Sequence, residues 1–282
     1  VRELLRIAAA TAPPAPPAAQ PGQLLGDSSE GINARPVHTD RTETCSSLHA
    51  MILSLGFVLL RGPPRSGKTA LLQLAGRLAS MQRPPAFSRV IYVNCQGIGE
   101  GMTWEDWFES QTTEKWSTFL RTSGGGAFAN MGSDATASST PCAQSPVLLL
   151  IDELQCLYGD ATGRFATLYG YIKRLKQGEG GLRLRILGAA VFGAAPSHQS
   201  AGTVNVPTPF EYVPSQLVGL HTDSPDKPAL ALTAAEYDDL WSKVWADGYS
   251  QILFDGTTTK DAIYFVTAGH VGSVAFILDT LK

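Results

Sequence analysis

Residues 57–81 read FVLLRGPPRSGKTALLQLAGRLASM, and the order of residue types in this stretch decides the fold. FVLLRG is an apolar run of strand length. GPPRSGKT, residues 62–69, is a glycine- and proline-rich turn, and KTALLQLAGRLAS places apolar residues at helical spacing. The stretch is strand, loop, helix. Its loop fits the pattern G-x-x-x-x-G-K-[ST], and the chemistry of that pattern is phosphate binding. Gly62 and Gly67 permit backbone angles and close approaches that a Cβ would block. Backbone N–H groups of the loop and the first turn of the helix form an anion-binding nest. The expected contact set is Gly62, Pro63, Pro64, Arg65, Ser66, Gly67, Lys68, Thr69 and Ala70. Within it Lys68 reaches the β- and γ-phosphates as a compact charge, and the Thr69 hydroxyl ligates Mg2+.

A second apolar run ends in acids, VLLLIDE at 147–153. Neighbouring side chains on a strand point to opposite faces, so Asp152 and Glu153 are expected to do different work. Asp152 holds magnesium through water, and Glu153 polarises the attacking water, with Lys68 as the other catalytic group. Strands also end in acids that only cap the next helix. The pairing of these acids with the loop at Gly62 favours the site.

The remaining pattern alternates. Leu48, Met51, Ile52 and Leu55 predict a helix before the first strand, and RVIYVNC predicts a strand at 89–95. Trp104, Trp107, Phe108, Trp116 and Phe119 predict one or two helices with an aromatic, core-packing face. Further elements are a helix at 164–176, a strand at 182–192, a short strand near 216–220 and helical patterns at 233–245 and 259–281. Strands alternating with helices imply an α/β fold, a parallel sheet sandwiched by helices, with a small C-terminal helical lid.

The 282 residues carry a formal net charge of −3, which does not support a nucleic-acid footprint. No apolar run is long enough to cross a bilayer. Cys45, Cys95, Cys142 and Cys156 form no CxxC pair and read as buried or incidental thiols, consistent with an intracellular compartment, cytoplasm or nucleus. The chain begins with Val1, so a secreted effector stays open. Residues 1–41, with TAPPAPPAAQPG at 11–22, read as a disordered Pro/Ala-rich leader. The core is expected over 42–228, interrupted by a low-complexity insert at 122–145, and the lid over 229–282, truncated.

Two further positions are sensor candidates. Ser197, with His198 beside it, follows the strand expected to neighbour the acidic one, where a polar group reads the γ-phosphate. Loop polarity explains both equally well. TAGHVG at 267–272 puts His270 at a helix start, either near nucleotide or as an exposed histidine after a glycine turn.

The motif series GPPRSGKT, VLLLIDELQ, LRILGAAVFG and TAGHVG resembles P-loop ATPases of the signal-transduction type with numerous domains and their origin-recognition-like AAA relatives, over roughly residues 50–282. The acid directly after the magnesium aspartate resembles the branch with an additional catalytic glutamate. GPPRSGKTALLQL, IDELQCLYGD and VPTPFEYVPSQL followed by LTAAEYDDLW look most like the ATPase module of Crinkler and retrotransposon-hot-spot type proteins, where it is joined to another effector or nuclease-like domain. The chain departs from related groups in three ways. It has no N-K-x-D to read guanine, no arginine-rich kinase lid, and no arginine in the last ten residues, where many AAA-type lids carry one.

The resemblance implies ATP binding and slow Mg2+-dependent hydrolysis coupled to a conformational or assembly switch, with a homo-oligomer or another protein as partner. A nucleotide-binding interaction module with little hydrolysis is the alternative, and Glu153 favours the first reading over it. An ATP-dependent DNA-binding protein is a third reading, weakened by the acidic balance.

Overall fold

The structure is a computed structural model that describes residues 31–34, 37–123, 145–158, 160, 162–178, 182–191, 213–222, 224, 227–246 and 256–281. Most of the leader, nearly all of the insert, Cys142, Ser197 and His198 lie outside these residues.

Five strands form one parallel sheet: β1 (Phe57–Gly62), β2 (Arg89–Asn94), β3 (Val147–Asp152), β4 (Leu184–Val191) and β5 (Leu217–Val218). Their order is β2-β3-β4-β1-β5. Both faces are covered. Val58, Leu60, Tyr92, Leu148, Leu150 and Leu187 pack under helices α1 (Thr42–Leu55) and α2 (Lys68–Met81). Phe57, Leu59, Ile91, Val93, Leu149 and Ile151 face α3 (Trp104–Thr112), α4 (Trp116–Thr122) and α5 (Ala166–Lys176). Burial on both faces is why β3 reads as an unbroken apolar run rather than an alternation. The expected α/β sandwich is the observed one.

Strand β4 lies between β1 and β3, pairing Phe57 with Ile186 on one side and Ile151 with Gly188 on the other. The loop strand and the acidic strand are therefore two inter-strand spacings apart, roughly 10 Å. This leaves lateral room at the carboxyl edge of the sheet, where open α/β sheets bind their ligands.

The aromatic residues are core. Trp104, Phe108, Trp116 and Phe119 are buried and meet mostly at tilted or edge-on angles. Trp107 is half-buried and donates its indole N–H to the Asn94 carbonyl at 3.1 Å. Helix α3 starts on a capping box between Thr103 and Asp106.

Helices α6 (Ala234–Ala246), α7 (Gly256–Thr267) and α8 (Val271–Leu281) share a separate apolar cluster of Leu232, Tyr237, Val244, Ile263, Val274 and Leu278. The pattern at 259–281 is not one helix. It breaks where Ala268 and Gly269 take φ of 47° and 72°, because Leu232 N–H donates to the Gly269 carbonyl at 2.9 Å and the two backbones lie in contact. A Cβ at 269 would stand 2.5 Å from the Leu232 carbonyl oxygen. No helix among the described residues is long and apolar enough to cross a membrane.

Part of the stretch ahead of Thr42 packs on the rest of the chain. Ile32 N–H donates to Gln73 Oε1 at 2.9 Å. Arg41 is 5% exposed, and its guanidinium donates to the carbonyls of Ala229, Leu230 and Ala231 and pairs with Glu236 at 3.1 Å. One buried cation thus joins the start of α1 to the connection that leads into α6, and it does so through directional bonds.

The turn after the acidic strand is organised by Asp160. Its carboxylate accepts from Thr162 N and Oγ1, Arg164 Nε and Phe165 N. Burial pushes this carboxyl up, but the bonds from Thr162, Arg164 and Phe165 outweigh burial and hold it at about 2, against an ordinary 3.8. The folded value lies below the unfolded one, so the contribution is complete above the ordinary value and is lost as pH falls through the folded one. Asp160→Ala is expected to lower the melting temperature clearly at pH 7 and much less near pH 2, measured by thermal melts at both. An equal loss at the two values would show that the carboxylate charge is not what stabilises the turn.

Candidate functional site

The loop after β1 is held from inside by its own lysine. Lys68 opens α2, is only 6% exposed, and donates from Nζ to the carbonyls of Gly62 (3.1 Å) and Pro63 (2.7 Å), with Ser66 Oγ at 3.4 Å. Burial lowers its pKa, and the carboxylates of Glu153 and Asp152 are near enough to raise it in partial opposition. Every partner within hydrogen-bond distance of the ammonium is neutral. Gly67 caps α2 with φ of 83°, a conformation that favours glycine. No side chain caps the helix, and the first intrahelical bond runs from Leu71 N–H to the Gly67 carbonyl. The amides of the first turn are thus left for a ligand. Ser66 is buried and Thr69 and Ala70 are half-buried, while Pro64 and Arg65 are exposed.

The acids sit across β4 from this loop, at the same edge. Asp152 is 2% exposed and ends β3. The Tyr92 hydroxyl donates to Oδ2 at 2.9 Å, and Glu153 N–H donates to Oδ1 at 3.0 Å. Each carboxylate oxygen keeps one accepting position, enough to hold water that belongs to a metal shell.

Glu153 is not on the strand. It adopts φ of 54° and caps the 3-10 turn Leu154–Leu157. Its direction is therefore set by that left-handed backbone and by Gln155, whose side-chain amide donates to Glu153 Oε2, and not by the strand pleat. The same Gln155 accepts Val191 N–H at 3.1 Å with its Oε1. The expected division of labour by alternating pleat does not apply here, because β3 ends one residue earlier.

The C-terminal helices reach the phosphate loop. A Cβ on Gly272 would lie 2.2 Å from the Arg65 carbonyl oxygen, and one on Gly67 would lie 3.2 Å from Val271. The start of α8 thus rests on the loop. His270, directly ahead of it, accepts the Ser273 N–H on Nδ1 at 3.1 Å, so the ring caps its own helix. Ser197 lies outside the described residues.

Tyr92 and Gln155 were not singled out from the sequence. Tyr92 has the alternation of any buried strand residue. Gln155 carried a signal in its place two residues beyond Glu153, within one turn of it.

Residues present fit a nucleotide phosphate and a magnesium ion. Among the described residues the buried ammonium has only neutral hydrogen-bond partners, so it can take an anion's oxygen, and the uncapped helix start faces the same loop. Among the described residues no cluster of three or more His, Cys, Asp or Glu side chains forms a metal cage, and Mg2+ on phosphates needs none.

No protein-family profile and no curated protein matches the chain. Among solved structures, the Walker-type ATPase PABY2304 of Pyrococcus abyssi is similar at 15% identity and a TM-score of 0.45, over 86% of this chain and 67% of that one. Domain III of the replication initiation protein DnaA of Thermotoga maritima is similar at 15% identity and a TM-score of 0.38, over 88% and 99%. A closed state of Hsp104 with ATPγS and FITC casein is similar at 16% identity and a TM-score of 0.45, over 88% of this chain but only 38% of that one. Scores this low say nothing of what this chain binds. The parallel five-stranded sheet, its strand order, and the position of the glycine-rich loop between β1 and α2 give the chain the fold of the P-loop NTPases.

Proposed function

We propose that the chain binds ATP with Mg2+ and hydrolyses it slowly, and that nucleotide state controls a conformational or assembly switch. The observation that carries this reading is the Lys68 ammonium, buried in its loop with neutral partners alone and with two carboxylates nearby. On binding, Lys68 exchanges loop carbonyls for phosphate oxygens. The amides of Gly67, Lys68, Thr69 and Ala70 supply the rest of the cradle. Thr69 ligates the metal through its hydroxyl, and Asp152 holds metal-bound water. Bound Mg2+ supplies neutralisation of charge on the β- and γ-phosphates. Glu153 accepts a proton from the attacking water while Lys68 stabilises charge on the transferred group. The contact of α8 with Arg65 and Gly67 offers a route by which phosphate occupancy moves the lid.

The sequence motifs alone carry the likeness to signal-transduction ATPases and to the Crinkler module. Ser197 and His270 stay nucleotide-sensor candidates, and a second copy of the chain is the partner we favour. Turnover of radiolabelled ATP and GTP by the full chain tests the reading, with protein concentration varied. Magnesium-dependent release of phosphate from ATP is the expected result, with a rate per chain that rises with concentration if assembly completes the site. ATP binding without turnover would leave a nucleotide-binding module, and absence of binding would sink the phosphate-loop assignment.

A further inference from the structure

We infer that Gln155 is a positioning residue that orients the Glu153 carboxylate and ties it to the end of β4. The inference rests on the reading of Glu153 as the group that orients the attacking water.

A primary amide has a donor end and an acceptor end, and Gln155 uses both. Its Nε2 donates to Glu153 Oε2, and its Oε1 accepts Val191 N–H at 3.1 Å. Val191 is the last residue of β4 and is paired in register with Gly62, the first residue of the phosphate loop. Gln155 therefore ties Glu153 to the end of the strand that lies beside Gly62, at the carboxyl edge of the sheet. No apolar residue replaces Gln155 without releasing both Glu153 and Val191. A carboxylate in its place has no donor for Glu153 and sets like charge against it.

The need for such a tether follows from the backbone. Glu153 lies outside the sheet in a left-handed conformation at the start of a 3-10 turn, so no strand pleat directs its side chain. A glutamate has three free torsions, and a misplacement on the order of 1 Å costs about a hundredfold in rate. The polar side chain at the end of the neighbouring strand does not serve as the tether. Asn94 Oδ1 instead accepts the Gln96 N–H at 2.8 Å, closing its own turn. Tyr92 bonds Asp152, the other acid.

The test uses the full chain and two substitutions, Gln155→Met, which keeps the volume and removes the amide, and Gln155→Ala. Steady-state ATP turnover and equilibrium ATP affinity are measured for each, alone and with Glu153→Gln. Both single variants are expected to lose about tenfold to a hundredfold in kcat while the Kd for ATP shifts by less than about threefold. In the Glu153→Gln background neither is expected to slow turnover further, because a positioning residue has nothing left to position. Unchanged kcat, or a loss that multiplies with Glu153→Gln, overturns the inference. A raised kcat also overturns it, since Gln155 would then restrain Glu153. If both variants melt early and lose ATP binding, Gln155 is a structural part of the turn and the inference fails. A wild type without turnover overturns the proposed function together with this role. A wild type that turns over with its Gln155→Met variant matching it overturns only the role of Gln155.

Discussion

Glu153→Gln is expected to lower magnesium-dependent ATP turnover by about a hundredfold or more while ATP stays bound, the ordinary contribution of a positioned base. The structure makes this substitution a clean one. A glutamine at 153 keeps the side-chain length, and its carbonyl oxygen still accepts the Gln155 amide that Glu153 Oε2 accepts now. The backbone bond from residue 153 to Asp152 Oδ1 is untouched, as is the Tyr92 bond to Asp152. The proposed metal and phosphate contacts of Thr69, Asp152 and Lys68 are therefore expected to survive, with only the proton acceptor lost. The variant should accumulate bound ATP, and if ATP drives assembly it should be trapped in the assembled state, visible by sedimentation. Rapid-quench turnover and filter binding on the same preparations separate the two effects. A variant that hydrolyses ATP as fast as wild type would remove Glu153 from the mechanism while leaving the phosphate loop in place.

Lys68→Ala should abolish ATP binding without unfolding the chain. Each charge-assisted bond to phosphate contributes about 1.5–3 kcal/mol, so losing two of them weakens affinity by roughly two to four powers of ten. The lysine of the free protein is a different matter. Its ammonium is buried against two carbonyls and a hydroxyl, and burial lowers its pKa, so folding already works against the charge. A folded value below the unfolded one means that the unfolded chain holds this proton more tightly. Removing the group therefore relieves a cost in the free state while it removes the attraction in the bound one. Thermal melts without nucleotide are expected to agree within a few degrees, while ATP raises the melting temperature of wild type only. Fluorescent ATP titrated against both proteins measures the affinity directly. Equal affinities would show that Lys68 does not meet phosphate.

Much of this molecule is legible in its sequence. The strand, loop and helix of residues 57–81 are encoded within a few residues of one another, by apolar run length, by glycines at the turn and by 3.6-residue spacing. The unbroken apolar run of β3 announced a strand buried on both faces, and hence a parallel sheet. The aromatic residues of α3 and α4 were legible as core because large rings on a helical face bury more apolar area than any other side chains.

Other features depended on partners distant in the chain. Glu153 reads as one more strand residue until Val191, 36 positions beyond Gln155, supplies the bond that anchors that glutamine in its turn. Arg41 reads as the end of a leader until the carbonyls at 229–231 close around it, nearly 190 residues away. The C-terminal pattern reads as one helix until Leu232 donates to Gly269 and breaks it. By itself the sequence determined most of the strands and helices, and that a glycine-rich loop joins β1 to α2, because torsional preference and hydrophobic period act between near neighbours. Only the tertiary structure decided how Glu153 is aimed, what Arg41 holds and where α8 meets the loop. Those outcomes depend on directional bonds and close backbone contacts between segments that only folding brings together.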